Sequence, residues 1–321
     1  MNIGRVGIWS MALEAQPLSV AQEAAAELDE LGFPALWVPE ALGKEVMSHA
    51  ALLLAATRRM VVATGIANLW ARDATAMVNA QRTLTEGFPE RFLLGVGVSH
   101  TPTVAHRGHA LVSPVQATRD YLAAMDAARY FGAVPAAPLH RVLAALGPRM
   151  LTLAAELTEG AHTYTVPVEH TEQARQRLGQ GPLLIPELKV ALVSDPAEAR
   201  RIGRGAIGRL LRLPNYAGNL RRLGFADADF ADGASDRLID ALVAWGDVED
   251  VRRRVKEHLD AGADHVALQV LTADSGALPP CRCGNGASSP LCSTEIQSSE
   301  RSRPALEALP SSCWGRSLHS L

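Results

Sequence analysis

Three polar side chains stand just after short apolar runs, where each could contact a bound molecule. They are Glu40 and His100, which could exchange a proton, and Asn68, which could supply a polar contact. A carboxylate or an imidazole becomes a useful acid or base when burial brings its pKa near the working pH. The alternative for Glu40 is a structural carboxylate that caps nearby backbone. Asn68 and His100 are open to a structural interpretation in the same way.

A second kind of site is indicated where Gly147 and Pro148 begin a helical pattern, with Arg149 beside them. The N–H groups at a helix start and the positive end of its dipole bind phosphate well. The alternative is a plain turn between a strand and a helix. His162 lies in an apolar run, where a satisfied core histidine is as reasonable as a catalytic one.

Two glycines interrupt the strand-like run Leu94-Gly95-Val96-Gly97. A glycine inside a strand often marks a bulge or the close approach of a ligand. One interpretation is that a flat ring lies against this strand, and the other is tight packing with protein atoms.

Other chemistries are disfavoured by what the chain lacks. Its three lysines, Lys44, Lys189 and Lys256, are not expected at the C-terminal end of a strand, which argues against Schiff-base chemistry. His100, His106 and His109 share one loop without the spacing of a metal site. We therefore expect no bound metal.

The candidate residues are positioned by an alternation of strand-like and helical patterns. Buried parallel strands read as continuous apolar runs, and eight such runs occur. They are Ile3–Ile8, Ala35–Val38, Val61–Ile66, Phe92–Val96, Val142–Ala145, Ala161–Val166, Leu188–Val193 and Val266–Leu271. This number predicts an α/β fold of the (β/α)8 TIM-barrel type, whose active site lies at the C-terminal strand ends. A doubly wound open sheet is the alternative, but no G-x-G-x-x-G loop follows the first run.

The connections carry helix start signals and two long loops. Ser19 with Gln22 predicts a capping box, and Asp195 before Pro196 predicts an N-cap. The segments Val98–Ser113 and Pro214–Ser235 are longer than a minimal barrel needs. We expect both to shape the substrate pocket.

Composition narrows the class of protein. A net charge of −3 argues against a nucleic-acid-binding basic face, and no apolar run is long enough to cross a membrane. The N-terminus shows no signal-peptide pattern, so we expect a cytoplasmic protein.

The composition changes near residue 275. Residues 1–274 are predicted to form the barrel domain, and residues 275–321 a disordered tail rich in Ser, Pro, Gly and Cys. All four cysteines lie in this tail, at spacings that do not match usual zinc sites.

Eight segments, in order, carry a resemblance to a known family. They are residues 26–40, 62–66, 89–97, 144–150, 153–156, 159–161, 213–216 and 223–225. With these segments the chain resembles the bacterial luciferase-like monooxygenase superfamily, and within it the actinobacterial oxidoreductases that use the deazaflavin coenzyme F420. The resemblance covers residues 1 to about 274.

The resemblance implies a barrel that binds a flat tricyclic cofactor at its C-terminal face. Carried over, Glu40 borders the ring. The strand-3 end, with Ile66, Ala67 and Asn68, forms a bulge behind the ring that often contains a non-prolyl cis peptide. The remaining cofactor contacts would be Gly97 beside the ring, His162, and the phosphate-holding residues Ala145, Leu146, Gly147, Pro148 and Arg149.

Two departures from the family pattern stand out. Many relatives have Asp-His after strand 2, where this chain has Glu40-Ala41, so a histidine acid is missing there and His100 is a possible substitute. Family members end with a helix that closes the barrel, whereas the sequence after about Asp274 is unrelated. We interpret this tail as a frameshift or an aberrant end of the reading frame.

Three hypotheses follow for the function. The first is an F420-dependent oxidoreductase that transfers hydride between the deazaflavin and a small organic substrate. The second is an FMN-dependent monooxygenase, and the third is an inactive barrel remnant. The expected partner is a small-molecule substrate, with no nucleic acid and no membrane, and a homodimer is left open as an alternative to a monomer.

Overall fold

In a computed structural model, which describes residues 1–41 and 43–273, short buried strands alternate with helices. The strands are β1 (Val6–Trp9), β2 (Ala35–Val38), β3 (Val61–Thr64), β4 (Ala67–Asn68), β5 (Phe92–Gly97), β6 (Arg141–Ala144), β7 (Gly160–Thr163), β8 (Leu183–Ala191), β9 (Val243–Trp245) and β10 (Val266–Val270). The α-helices are α1 (Ala12–Ala15), α2 (Leu18–Glu30), α3 (Val46–Ala56), α4 (Ala74–Gly87), α5 (Thr101–His106), α6 (Pro114–Asp126), α7 (Pro148–Leu157), α8 (Val168–Leu178), α9 (Pro196–Ile207), α10 (Pro214–Arg222), α11 (Asp236–Leu242) and α12 (Val248–Asp260). Two 3-10 helices, Leu210–Arg212 and Asp227–Gly233, flank α10.

Eight of these strands close into a parallel barrel. The sheet runs in the order β1, β2, β3, β5, β6, β7, β8, and β10 pairs with both β8 and β1. Val266 is in register with Val6, and Leu268 is in register with Leu188. The predicted (β/α)8 barrel is confirmed, and the open sheet is wrong because β10 joins β8 to β1 and closes the ring.

Two short strands lie outside this ring. The third predicted run is broken after Thr64, where the Gly65–Ile66 peptide is cis, and the chain resumes as β4 against β5. The other strand, β9, pairs in parallel with the C-terminal part of β8. The break at Gly65 is the bulge that the family resemblance implies.

One strand is longer than expected, and its difference has chemical consequences. The seventh run was predicted over Leu188–Val193, whereas β8 covers Leu183–Ala191. The first half of β8 is obscured by Pro186 and Glu187, because charges and proline are unusual in a buried strand. Lys189 lies within β8, two residues before its C-terminal end.

Alternate side chains of the strands face the barrel interior and the surrounding helices. Trp9, Trp37, Leu93 and Ile185 belong to the apolar cluster inside the ring. Their neighbours pack outward with apolar residues of the helices, as Leu36, Leu94, Leu188 and Leu268 do. Both faces of the strands are therefore buried, which explains the continuous apolar runs.

The helix starts follow local signals only in part. Asp195 caps α9 as expected, since its carboxylate accepts a hydrogen bond of 2.9 Å from the Glu198 N–H. The capping box at Ser19 is wrong, because α2 begins one residue earlier, at Leu18. Each long loop contains a helix, α5 in the first and α10 in the second.

The predicted tail, residues 275–321, lies outside the described residues. In the part of the chain that the structure covers, no helix is both long enough and apolar enough to span a bilayer.

Candidate active site

The Glu40 carboxylate ties the end of β2 to the bulge that follows β3. It is 8% exposed, and its Oε2 accepts hydrogen bonds from the Asn68 N–H at 2.8 Å and from Arg72 Nη1 at 2.9 Å. Arg72 also pairs with Oε1 and with Glu45. Burial disfavours the charged form of Arg72, but the hydrogen bond to Glu40 and the negative charges of Glu40 and Glu45 raise its pKa. Both oxygens of Glu40 are thus engaged, which is the structural role left open above.

Asn68 and His100 each keep one polar atom without a partner within residues 1–41 and 43–273. The Asn68 side chain is fully buried, and its Oδ1 accepts from the Trp70 N–H while its Nδ2 has no partner. His100 precedes α5, and its buried Nδ1 is likewise unpartnered. Burial lowers the pKa of His100. Each residue therefore keeps a hydrogen-bonding atom that the described residues leave unused.

The bulge after β3 is fixed by contacts from three neighbouring strands. Trp9 Nε1 donates to the Gly65 carbonyl at 3.0 Å, and the Glu40 N–H donates to the Ile66 carbonyl at 3.1 Å. Ala67 and Asn68 then pair with Val96 and Gly97 of β5. Ile66, Ala67, Asn68 and Gly97 are therefore contiguous at the C-terminal end of the barrel.

The two glycines of β5 are explained by close packing. A Cβ on Gly95 would lie 2.1 Å from the Thr64 carbonyl oxygen. A Cβ on Gly97 would lie 2.8 Å from Ala144 Cβ and 2.9 Å from the Ile66 side chain. Protein atoms therefore fill the space beside these glycines, and a bound ring would meet Ile66 before Gly97. A cofactor contact through the Gly97 backbone stays a prediction.

His162 lies inside the barrel below this rim. Its ring stacks on Trp37 with centroids 4.8 Å apart, and its Nδ1 is 2.9 Å from the Ile185 carbonyl oxygen. Burial lowers its pKa to about 4, so the imidazole is neutral at pH 7. Its Nε2 has no partner among the described residues and would stand 3.4 Å from a Cβ on Gly65. His162 thus supports the bulge from beneath, and direct cofactor contact stays a prediction.

A buried ion pair, which the sequence interpretation missed, occupies the same interior. Lys189 Nζ lies 2.9 Å from Glu187 Oε2 and 2.9 Å from Thr165 Oγ1, and both charged side chains are at most 1% exposed. Burial lowers the pKa of Lys189, and the charge of Glu187 opposes this effect. The sequence carries one signal for this pair, because Glu187 and Lys189 are two charged residues at alternate positions of an apolar run.

Aromatic rings connect this ion pair to His100. Lys189 Nζ lies 4.0 Å from the centre of the Tyr164 ring, and Tyr164 contacts Trp9 with ring centroids 5.1 Å apart. Tyr216 of α10 stands between Tyr164 and His100, at centroid distances of 6.2 and 5.4 Å. The second long loop thus contributes an aromatic wall to the barrel mouth.

The predicted phosphate-binding residues form the turn between β6 and α7. The Ala145 N–H donates to the His162 carbonyl at 3.2 Å, and the Leu146 carbonyl oxygen lies 2.9 Å from His170 Nε2. Gly147 caps α7, while Pro148 and Arg149 are exposed in its first turn. This helix start is open to solvent at the same end of the barrel as the bulge.

Two further features lie apart from these contacts. In the covered ranges, no group of three or more His, Cys, Asp or Glu side chains could hold a metal ion.

A cavity of about 580 Å³ lies on the outer side of Arg72, between α4 and α6, and its walls include Trp70, Tyr121 and His109. Glu40, Asn68 and His100 do not line it, so we place the candidate site at the rim.

A protein named as a reductase is similar to most of the chain. A 5,10-methylenetetrahydromethanopterin reductase from Methanolobus tindarius is 23% identical over 284 residues, which is 74% of this chain and 86% of the relative.

Solved structures share the fold at low sequence identity. An F420-dependent secondary alcohol dehydrogenase, in complex with an F420-acetone adduct, superposes with a TM-score of 0.67 at 15% identity, covering 84% of this chain and 94% of that one. The FMN-bound oxygenating constituent of 3,6-diketocamphane monooxygenase from Pseudomonas putida gives a TM-score of 0.61 at 13% identity, covering 84% and 92%.

The family itself is established by a match over most of the barrel. The model of the luciferase-like monooxygenase family matches residues 4–265, from before β1 to the residue preceding β10. The closed barrel and the bulge after β3 agree with what the resemblance implies. This chain therefore belongs to the luciferase-like monooxygenase family.

Proposed function

We propose that this protein is an oxidoreductase that uses coenzyme F420 to transfer a hydride to or from a small organic substrate. The supporting relatives are an alcohol dehydrogenase that binds F420 and a methylenetetrahydromethanopterin reductase. The observation that carries the proposal is the pair of buried, unpartnered atoms at the rim, Asn68 Nδ2 and His100 Nδ1. Buried polar atoms normally have partners, so these two favour a polar molecule bound there.

The residues at the rim fit a planar cofactor with a phosphate arm. Ile66 and Ala67 would border the ring, and Asn68 would donate to it from Nδ2. The turn from Ala145 to Arg149 would hold the phosphate at the start of α7. When bound, a deazaflavin supplies the carbon that accepts or donates the hydride.

His100 is suited to the proton that accompanies the hydride. Burial lowers its pKa, so the neutral imidazole predominates at pH 7 and can accept a proton from a substrate hydroxyl. The same imidazole returns the proton when the reaction runs toward the reduced substrate. The contact with Tyr216 limits where the His100 ring can lie.

Glu40 acts in this proposal as a positioning residue. Its carboxylate already accepts from Arg72 and from the Asn68 N–H, so it holds the bulge rather than the reacting atoms. Homodimer formation and a cytoplasmic location stay predictions.

A titration with both cofactors tests the proposal. Thermal unfolding is measured with F420 and, separately, with FMN. A cofactor present at about 100 times its Kd stabilises the folded protein by about 2.7 kcal/mol. For a chain of this size we expect F420 to raise Tm by about 4–5 °C.

The control is the phosphate-free deazaflavin riboside, which should bind more weakly. A shift with FMN alone would favour the monooxygenase. A shift with neither cofactor would contradict the proposal and favour the inactive remnant.

A further inference from the structure

Helix α10 faces the start of α7 with a guanidinium group. A Cβ placed on Gly147 would lie 3.7 Å from Arg222 Nη2. The same Nη2 donates a hydrogen bond of 3.0 Å to Asn219 Oδ1, one turn earlier on α10. Asn219 thus holds the guanidinium beside the N-terminus of α7.

This corner of the molecule is rich in donors and poor in acids. Within the described ranges, neither Arg222 nor Arg149 lies within ion-pair distance of a carboxylate, whereas the adjacent Arg221 pairs with Asp227 at 2.9 Å. Asn219 is 3% exposed, and its Nδ2 has no partner. A buried amide donor without a partner is costly, and a bound anion would satisfy it.

We propose that α10 supplies the second half of the phosphate site, with Arg222 and Asn219 donating to phosphate oxygens across from the N-terminus of α7. Guanidinium groups bind phosphate through directed, charge-assisted hydrogen bonds, and the helix start adds N–H donors. This inference rests on the proposed function. It assigns the recognition of the phosphate arm to two residues outside the turn that the sequence indicated.

The test compares two ligands that differ only in the phosphate arm. Kd values for F420 and for the phosphate-free deazaflavin riboside are measured by fluorescence titration of the full chain and its variants. Arg222→Ala should raise the Kd for F420 by about 10- to 100-fold, the range of a lost charged hydrogen bond. It should leave the Kd for the riboside within about 2-fold, because that ligand has no phosphate to contact.

The matched control is Arg221→Ala, which removes the neighbouring, paired arginine and should leave both Kd values unchanged. Arg222→Lys should give an intermediate loss, because it keeps the charge without the planar fork. Asn219→Ala should weaken F420 binding in the same selective way. If this buried substitution prevents folding, the exposed Arg222 variants alone decide.

Three outcomes would overturn the inference. They are equal losses for F420 and the riboside, an unchanged F420 Kd in Arg222→Ala, or an equal effect of Arg221→Ala. Any of these leaves F420 binding by the unaltered chain, and with it the proposed function, intact. If the unaltered chain binds FMN instead, the same variants are compared with FMN and riboflavin. If it binds neither cofactor, the proposed function and this inference both fail.

Discussion

Removing one charge of the pair inside the barrel should destabilise the protein strongly. Lys189→Met leaves Glu187 without its cation, and that carboxylate then keeps only the Thr165 N–H, at 3.0 Å. Both side chains are at most 1% exposed, so water cannot replace the lost partner. Breaking a buried pair in this way costs about 3–5 kcal/mol.

The free energy of unfolding, measured in urea at pH 7, checks this magnitude. The double variant Glu187→Gln with Lys189→Met removes both charges and keeps an acceptor for Thr165. We expect it to be at least about 2 kcal/mol more stable than Lys189→Met, because replacing a whole buried pair is often nearly neutral.

A surface pair provides the control. Lys256 and Asp260 are 64% and 63% exposed on α12, so Lys256→Met should change the stability by less than about 0.5 kcal/mol. The reasoning would be refuted if Lys189→Met behaved like Lys256→Met. A double variant as unstable as the sum of its single variants would refute it as well.

Two further predictions concern packing and acid stability. Gly95→Ala should cost about 3 kcal/mol or more in urea unfolding, because its Cβ would lie 2.1 Å from the Thr64 carbonyl oxygen. Gly87→Ala meets no atom within 4 Å at the end of α4 and should stabilise by about 0.5–1 kcal/mol, so similar effects of the two would contradict the packing argument. Stability should also fall as the pH drops below about 6.5, where histidines protonate in the unfolded chain. Burial holds the folded-state pKa of several histidines lower still, and for three of them the protein should lose about 2 kcal/mol of stability each by pH 5. The stability between pH 7 and pH 4, measured from unfolding followed by circular dichroism, checks this, and the variant of the exposed His109, His109→Gln, is the control. An unchanged stability at pH 5 would show that the histidines do not contribute. The three are His162 and His265, with a pKa of about 4, and His258, with a pKa of about 3.

The fold could be predicted because its main signal is local. Both faces of each barrel strand are buried, so the strands appear as apolar runs, and seven of the eight were placed close to their observed positions. The exception, β8, carries Glu187 and Lys189 on its inner face. The two charges form an ion pair inside the barrel. In the sequence, each charged residue taken alone indicates an exposed position instead.

For the rim of the candidate site, the sequence could predict separate positions but not the contacts between them. The sequence indicated Glu40 and Asn68 as separate candidates, but not that the Glu40 carboxylate is engaged by Arg72, 32 residues further along the chain. For Gly97 the sequence could not decide between a bound ring and tight packing. The deciding contact is the Ile66 side chain, which fills the space beside Gly97. Partners distant in sequence decide the role of each residue.

The contribution of α10 was the least visible part of the site. The sequence indicated the start of α7 because Gly147 and Pro148 are themselves a local signal. Arg222 and Asn219 carry no motif, and only the barrel brings them to Gly147.

The order of pairing in the barrel has a consequence for synthesis. Strand β10 lies between β8 and β1, so the ring remains open until residues 266–270 have left the ribosome. Until then both β1 and β8 present unpaired backbone groups, and such edges recruit strands from other chains. Nascent chains of this protein should thus depend on chaperones longest at the last step, and truncation before β10 should yield aggregates instead of smaller folded units.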